Sequence, residues 1–151
     1  MTFISAKLKQ ANYQTHMIGK WGVGFFAPPY LPTSRGFDTS SGFLGSGEDH
    51  FNQRSDGAGC AVDFWKNQAP DHRNGTYDAW VYRDDVEALF SPSDASAGKA
   101  AADTAPLFLF MAFHNVHSPM QAPQWLIDQQ NQSLCSTRRT LHAMVAAVDN
   151  M

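Results

Sequence analysis

The sequence predicts an α/β domain with a mainly parallel sheet flanked by helices, and three observations carry that prediction. Residues 106–113 (PLFLFMAF) are nearly all apolar, as in a strand covered on both faces of a parallel sheet. Residues 77–90 (YDAWVYRDDVEALF) and 137–151 place apolar side chains at helical spacing. Helix, strand, helix, buried strand and helix then follow one another, the alternation that builds α/β folds.

The elements can be read in order. Residues 3–11 set Phe3, Ile4 and Leu8 on one face and lysines on the other, which predicts a helix. Residues 13–20 form a strand ending at Gly19-Lys20. Residues 23–59 are rich in Gly, Pro and Ser without a sustained period. They read as an ordered loop held down by Phe25, Phe26, Tyr30, Phe37 and Phe43. Residues 60–64 (CAVDF) form a short strand, residues 71–76 a turn and residues 77–90 a helix. Residues 91–105 are small and polar, as in a mobile surface connector. The strand at 106–113 ends at His114-Asn115-Val116-His117-Ser118-Pro119, and the last helix turns Leu141, Met144, Val145 and Val148 inward.

A chain of 151 residues fits one domain with a moderate core. Its net charge of -3 gives no basic footprint for nucleic acid. The longest apolar run, residues 107–113, is too short to span a bilayer, and MTFISAKLKQ lacks the apolar centre of a signal peptide. Cys60 and Cys135 have no metal-type spacing, and whether they pair is left open. Asn74-Gly75-Thr76 and Asn131-Gln132-Ser133 match the glycosylation acceptor pattern, a triplet that also arises by chance.

Ligands of open α/β sheets bind beyond the carboxyl ends of strands, where Lys20 and His117 follow their two strands. Lys20 offers an ammonium to an anion, and its glycine neighbours let backbone come close. His117, followed by the Pro119 turn, is a candidate proton donor or anion contact. The plainer alternative for Lys20 is a solvated surface lysine. His114 and His117, three apart, invite a metal reading, but no carboxylate or cysteine lies near them in sequence. His16, His50, His72 and His142 have no supporting context and read as structural or exposed.

Three stretches together resemble the sulfatases, and within them the arylsulfatase B-like branch. LKQANYQTHMIGKWGVG resembles the family pattern L-K-x-x-G-Y-x-T-H-M-x-G-K-W-H-x-G. LPTSRGFDTSSGFLGSGEDHF resembles L-P-T-x-R-G-F-D-x-x-x-G-F-L-x-G, and PLFLFMAFHNVHSPMQAP resembles P-L-F-L-Y-x-A-F-x-x-V-H-x-P-L-Q-x-P. TYDAWVYRDDVEALF is a weaker match to the helix between them. The resemblance implies an alkaline-phosphatase-like fold and hydrolysis of sulfate esters, aryl sulfates or sulfated sugars. It further implies a formylglycine nucleophile made from a C/S-x-P-x-R motif and a calcium ion that clamps the sulfate. Lys20 matches the lysine that contacts sulfate and formylglycine, and His117 the histidine near the leaving oxygen.

The departures are equally specific. Gly22 stands where the family has the histidine base of G-K-W-H. No C/S-x-P-x-R occurs: Cys60 lies in GCAVD and Cys135 in LCSTR. The paired aspartates of the metal site have no match either, and Asp149-Asn150 falls on a helix too soon after His117 to be the calcium pair. Residues 1–151 are therefore expected to be a partial N-terminal catalytic domain, inactive and marginally folded alone, with PLFLFMAF exposed on an unpaired edge. The alternative expectation is a non-catalytic sulfatase-like protein that binds sulfated glycans or a protein partner. The family suggests a secretory or lysosomal location.

Overall fold

The computed structural model describes residues 2–55, 61–91 and 105–151. The chain opens with helix α1 (Ile4–Gln10) and strand β1 (Gln14–Gly19), both where the apolar pattern put them. Two 3-10 turns, Pro28–Tyr30 and Pro32–Arg35, lead to strand β2 (Thr39–Gly42). Strands β3 (Trp65–Lys66) and β4 (Ala69–Pro70) precede helix α2 (Asp78–Phe90). Strand β5 (Leu107–Ala112), the short helix α3 (Gln124–Asp128) and helix α4 (Ser136–Asp149) complete it.

The sheet runs β4-β3-β2-β1-β5. Its centre is parallel: β1 pairs with β5 from Gln14↔Leu107 to Gly19↔Ala112, and with β2 from His16↔Thr39 to Ile18↔Ser41. β3 and β4 add an antiparallel margin. One face buries Met17, Trp21, Phe37 and Leu44, with Phe3 and Phe108 packed against them. The other buries Ile18 and Phe64 against Val81 and Tyr82 of α2. A separate cluster joins Tyr77 and Ala79 to Leu126 of α3 and to Ala143, Met144 and Ala147 of α4. The expected α/β class and mainly parallel sheet are therefore observed.

Four details differ from expectation. The 23–59 loop contains β2, whose TSSG sequence has little strand propensity. Its pairing with β1 and a 2.5 Å hydrogen bond from Ser41 Oγ to Asp85 Oδ2 hold it in place. The short strand falls at Trp65–Lys66 instead of 60–64, where Val62 makes an isolated bridge with Arg54. β5 lies at the sheet edge, so Leu107 and Phe110 are exposed, unlike a strand covered on both faces but as expected for PLFLFMAF on an unpaired edge. In α4 the inward residues are Ala143, Met144 and Ala147, whereas Leu141 and Val145 face out. Small alanines allow close packing of α4 on α3, and the larger aliphatics are left outside. The connector expected at 91–105 lies almost wholly outside the described residues, as does Cys60.

Candidate active-site edge

The carboxyl ends of β2, β1 and β5 crowd together through two glycines. A Cβ on Gly19 would lie 2.0 Å from the Ala112 carbonyl oxygen, and one on Gly42 would lie 2.1 Å from that of Gly19. Both residues have positive φ, so glycine is required twice over. The chain stays zipped beyond β1: Lys20 N–H donates to Ala112 O at 2.8 Å, and Trp21 N–H to Phe43 O at 2.9 Å. Trp21 is buried, stacks on Phe3 at 5.5 Å and donates its indole N–H to the carbonyls of Gly24 and Tyr30. With Trp21 anchored inward, Lys20 is left half-buried, its ammonium donating to the Ser46 carbonyl. Gly22 sits at φ 65°, and a Cβ there meets the Lys20 side chain no closer than 3.5 Å.

His117 is exposed in the loop that leaves β5. The loop is tied down on both sides: Asn115 Nδ2 donates to the Tyr77 hydroxyl at 3.0 Å and to the Met144 carbonyl at 2.9 Å. The Nδ1 of His117 lies 2.8 Å from the Ser118 carbonyl. A carbonyl can only accept, so Nδ1 carries hydrogen and Nε2 is the ring atom left for other chemistry.

Beneath this loop lies a buried cluster that the sequence does not announce. Asp78, in the first turn of α2, places Oδ2 2.8 Å from His50 Nδ1 and 2.7 Å from His114 Nδ1. All three residues are buried, and the two imidazoles stack at 4.0 Å. Burial pushes the Asp78 carboxyl up, but the hydrogen bonds from His114 and His50 outweigh it, so its pKa lies below the usual carboxylate value. Burial also opposes charge on His50, yet the Asp78 contact prevails and raises its pKa. His114 is lowered, by burial first and by the positive charge of His50. One carboxylate thus favours one charged and one neutral histidine. Nearby, burial and then the charges of Asp78, Asp63 and Asp49 push Glu48 up to about 10.

His50, Asp78 and His114 are the group of metal-ligand type found among the described residues. Their geometry is that of hydrogen bonds: donors about a tetrahedral metal at roughly 2.0–2.1 Å would stand about 3.3 Å apart. The set is also mostly nitrogen, whereas calcium takes oxygen ligands, so it does not fit the calcium that the resemblance implies. Asp149 and Asn150 lie at the end of α4, and Asn150 Nδ2 donates to Ala146 O at 2.7 Å.

The predicted residues are distributed as follows. Lys20 and His117 both follow the carboxyl edge of adjacent, in-register strands. His114 pairs with Asp78, a carboxylate remote in sequence, while its ring lies 5.6 Å from that of His117. His50 is buried, while His72 and His142 are exposed. Asn74 and Asn131 are exposed, and Cys135 is an exposed free thiol. A cavity of about 450 Å³ lies elsewhere, lined by His16, Ser41, Asn67, Asp85 and Leu89 among others, with neither Lys20 nor His117 in its wall. No helix of the described residues is long and apolar enough to cross a membrane.

Known proteins resemble this chain in sequence and fold. The chain is 37% identical over 147 residues to mouse (Mus musculus) arylsulfatase J, covering 95% of this chain. It is 31% identical over 140 residues to an arylsulfatase of Klebsiella aerogenes, covering 83% of this chain. Among solved structures it is similar to Ps i-CgsB, crystallised with k-i-k-neocarrahexaose. That match has a TM-score of 0.75 at 28% identity over 99% of this chain. The chain spans only part of each: 23% of the mouse protein, 26% of the bacterial one and 34% of the solved structure. The Sulfatase family profile matches residues 1–151, and the chain belongs to the sulfatase family.

Proposed function

We propose that the protein to which these residues belong hydrolyses sulfate esters, and that Lys20 and His117 are its contributions from this part of the catalytic domain. The observation that carries the reading is the register Gly19↔Ala112, which puts the residues following β1 and β5 at one sheet edge. Lys20 would neutralise a sulfate oxygen from a backbone that Gly19 and Trp21 hold fixed. His117, with Nδ1–H committed to Ser118, would give its proton from Nε2 to the leaving oxygen, which requires the doubly protonated ring.

In the family, formylglycine supplies the nucleophile and calcium neutralises the sulfate. The residues here do not fit either group: no C/S-x-P-x-R occurs in the sequence, and the metal-type cluster found among the described residues is hydrogen-bonded and nitrogen-rich. We therefore assign this stretch anion binding and proton donation only, as a partial catalytic domain. The relatives' names support aryl sulfates as the first substrates to try, and the k-i-k-neocarrahexaose ligand of the solved structure supports sulfated sugars as the second. The test is turnover of an aryl sulfate by the full-length protein with Lys20→Ala and His117→Ala. Unchanged turnover in both variants would overturn the assignment.

A second reading rests on Gly22, which offers no side chain at the family's base position. It is a non-catalytic protein that binds sulfated glycans. Binding of a sulfated oligosaccharide without turnover, lost in Lys20→Ala, is its signature. The exposed Asn74 and Asn131 support a glycosylated, secretory or lysosomal protein, tested by the mobility shift on enzymatic deglycosylation.

A further inference from the structure

We infer that His50 is a buried imidazolium that clamps the backbone carbonyl of His117, making it a positioning residue for that histidine. The proton count follows from geometry. His50 Nε2 lies 3.1 Å from the His117 carbonyl, which can only accept, so Nε2 carries hydrogen. His50 Nδ1 lies 2.8 Å from Asp78 Oδ2, an oxygen that also receives His114 Nδ1 at 2.7 Å. An oxygen serving two ring nitrogens is best filled as a carboxylate accepting two N–H bonds, and His50 then carries both hydrogens. The opposite shifts of Asp78 and His50 put the shared proton on the ring as well.

The surroundings favour that charge. From α2, Asp78 supplies the counter-ion and Tyr77 stacks on the ring at 5.4 Å. From its own segment, Asp49 adds negative charge, while Glu48 is held neutral by its raised pKa. From the loop after β5 come His114, held neutral, and the His117 carbonyl; Gln121 Oε1 receives the His50 backbone N–H at 3.0 Å. Loss of the ring proton would leave a lone pair facing either Asp78 or the carbonyl, and one of the two links would break. The position of His117 is thereby coupled to the ionisation of a residue that never meets the substrate.

The role of His117 rests on the sulfate-ester reading above, so the test has two arms, both in the full-length protein. Nitrogen-15 NMR of the histidine rings at neutral pH should show both His50 nitrogens protonated. A bare, lone-pair nitrogen on His50 overturns the inference whatever the enzyme does. In the kinetic arm, His50→Gln should lower kcat about tenfold with KM nearly unchanged and move the alkaline limb of the pH profile. In a His117→Ala background the same change should have almost no further effect. Additive losses, or a lowered melting temperature with an unmoved pH profile, overturn the positioning role. Absence of turnover in the wild-type protein overturns the His117 reading and the positioning role together, and leaves the NMR arm to decide the ionisation alone.

Discussion

Gly19 and Ala112 face each other across β1 and β5 so closely that a Cβ on Gly19 would sit 2.0 Å from the Ala112 carbonyl oxygen. Neither partner can yield cheaply, because the obstructing atom is backbone in a paired strand. Gly19→Ala adds this clash to the strain of φ 103°, and we expect destabilisation of about 3 kcal/mol or more. Chemical denaturation of the full-length protein, with Lys20→Ala as a neighbouring control near 0.5 kcal/mol, checks it. Equal midpoints for the two variants would refute this account of the edge.

His117→Ala should lower sulfate-ester turnover by about 10²–10⁴-fold, the usual worth of a positioned proton donor. A substrate with a highly acidic leaving phenol needs little proton donation and should be affected far less. A uniform loss across leaving groups would assign His117 to anion binding instead.

Gly22→His should raise turnover. The site has room, with the nearest contact of a Cβ at 3.5 Å on Lys20 Cε, and histidine is among the residues that tolerate left-handed backbone. The cost in stability is about 1–2 kcal/mol. No gain in rate in a folded variant would show that a base at this position is not what limits the enzyme.

Asp78→Asn should destabilise the protein by about 3–5 kcal/mol, because it strips a buried imidazolium of its counter-ion. The pH dependence follows from the shifts. Asp78, lowered from 3.8, contributes above that value and loses its contribution as pH falls through its folded pKa. His50, raised from 6.5, contributes below that value and loses it as pH rises through its folded pKa. The stability gap between wild type and variant should therefore be widest at about pH 4–6.5 and narrow on either side. His114, lowered from 6.5 mainly by burial, works against folding as pH falls below that value in both proteins; Asp78 moderates that cost, so it does not narrow the gap. A gap that is flat from acid to alkaline pH would contradict the ionised pair.

Glu48→Gln should stabilise the protein at neutral and alkaline pH. The glutamate must be protonated to stay buried, since its pKa rises from 4.5 to about 10 on folding. Its contribution is intact below 4.5 and is lost progressively as pH rises towards 10, a cost of about 3 kcal/mol at pH 7. Melting temperatures of wild type and variant should coincide at about pH 4 and diverge at about pH 8, with the variant higher. Convergence at alkaline pH would mean that Glu48 is ionised and compensated.

Local pattern made much of the fold legible. The alternation of residues 3–20 and the apolar run at 106–113 marked α1, β1 and β5, and helical spacing marked α2 and α4. β2 was hidden because Thr39–Gly42 has no strand signature of its own; it is extended because β1 offers it a ladder. On α4 the expected inward Met144 is buried, but Leu141 and Val145 are not, because hydrophobic rank favours them whereas close helix packing favours Ala143 and Ala147.

By itself the sequence determined the α/β class, the family motifs and the placing of Lys20 and His117 after strand ends, because these depend on short-range spacing. Tertiary structure alone decided the pairing of His50, Asp78 and His114, which lie 28 and 36 residues apart along the chain. No local periodicity encodes it. It exists because the start of α2 packs under the loop leaving β5, where burial joins three ordinary polar residues as one carboxylate shared by two imidazoles.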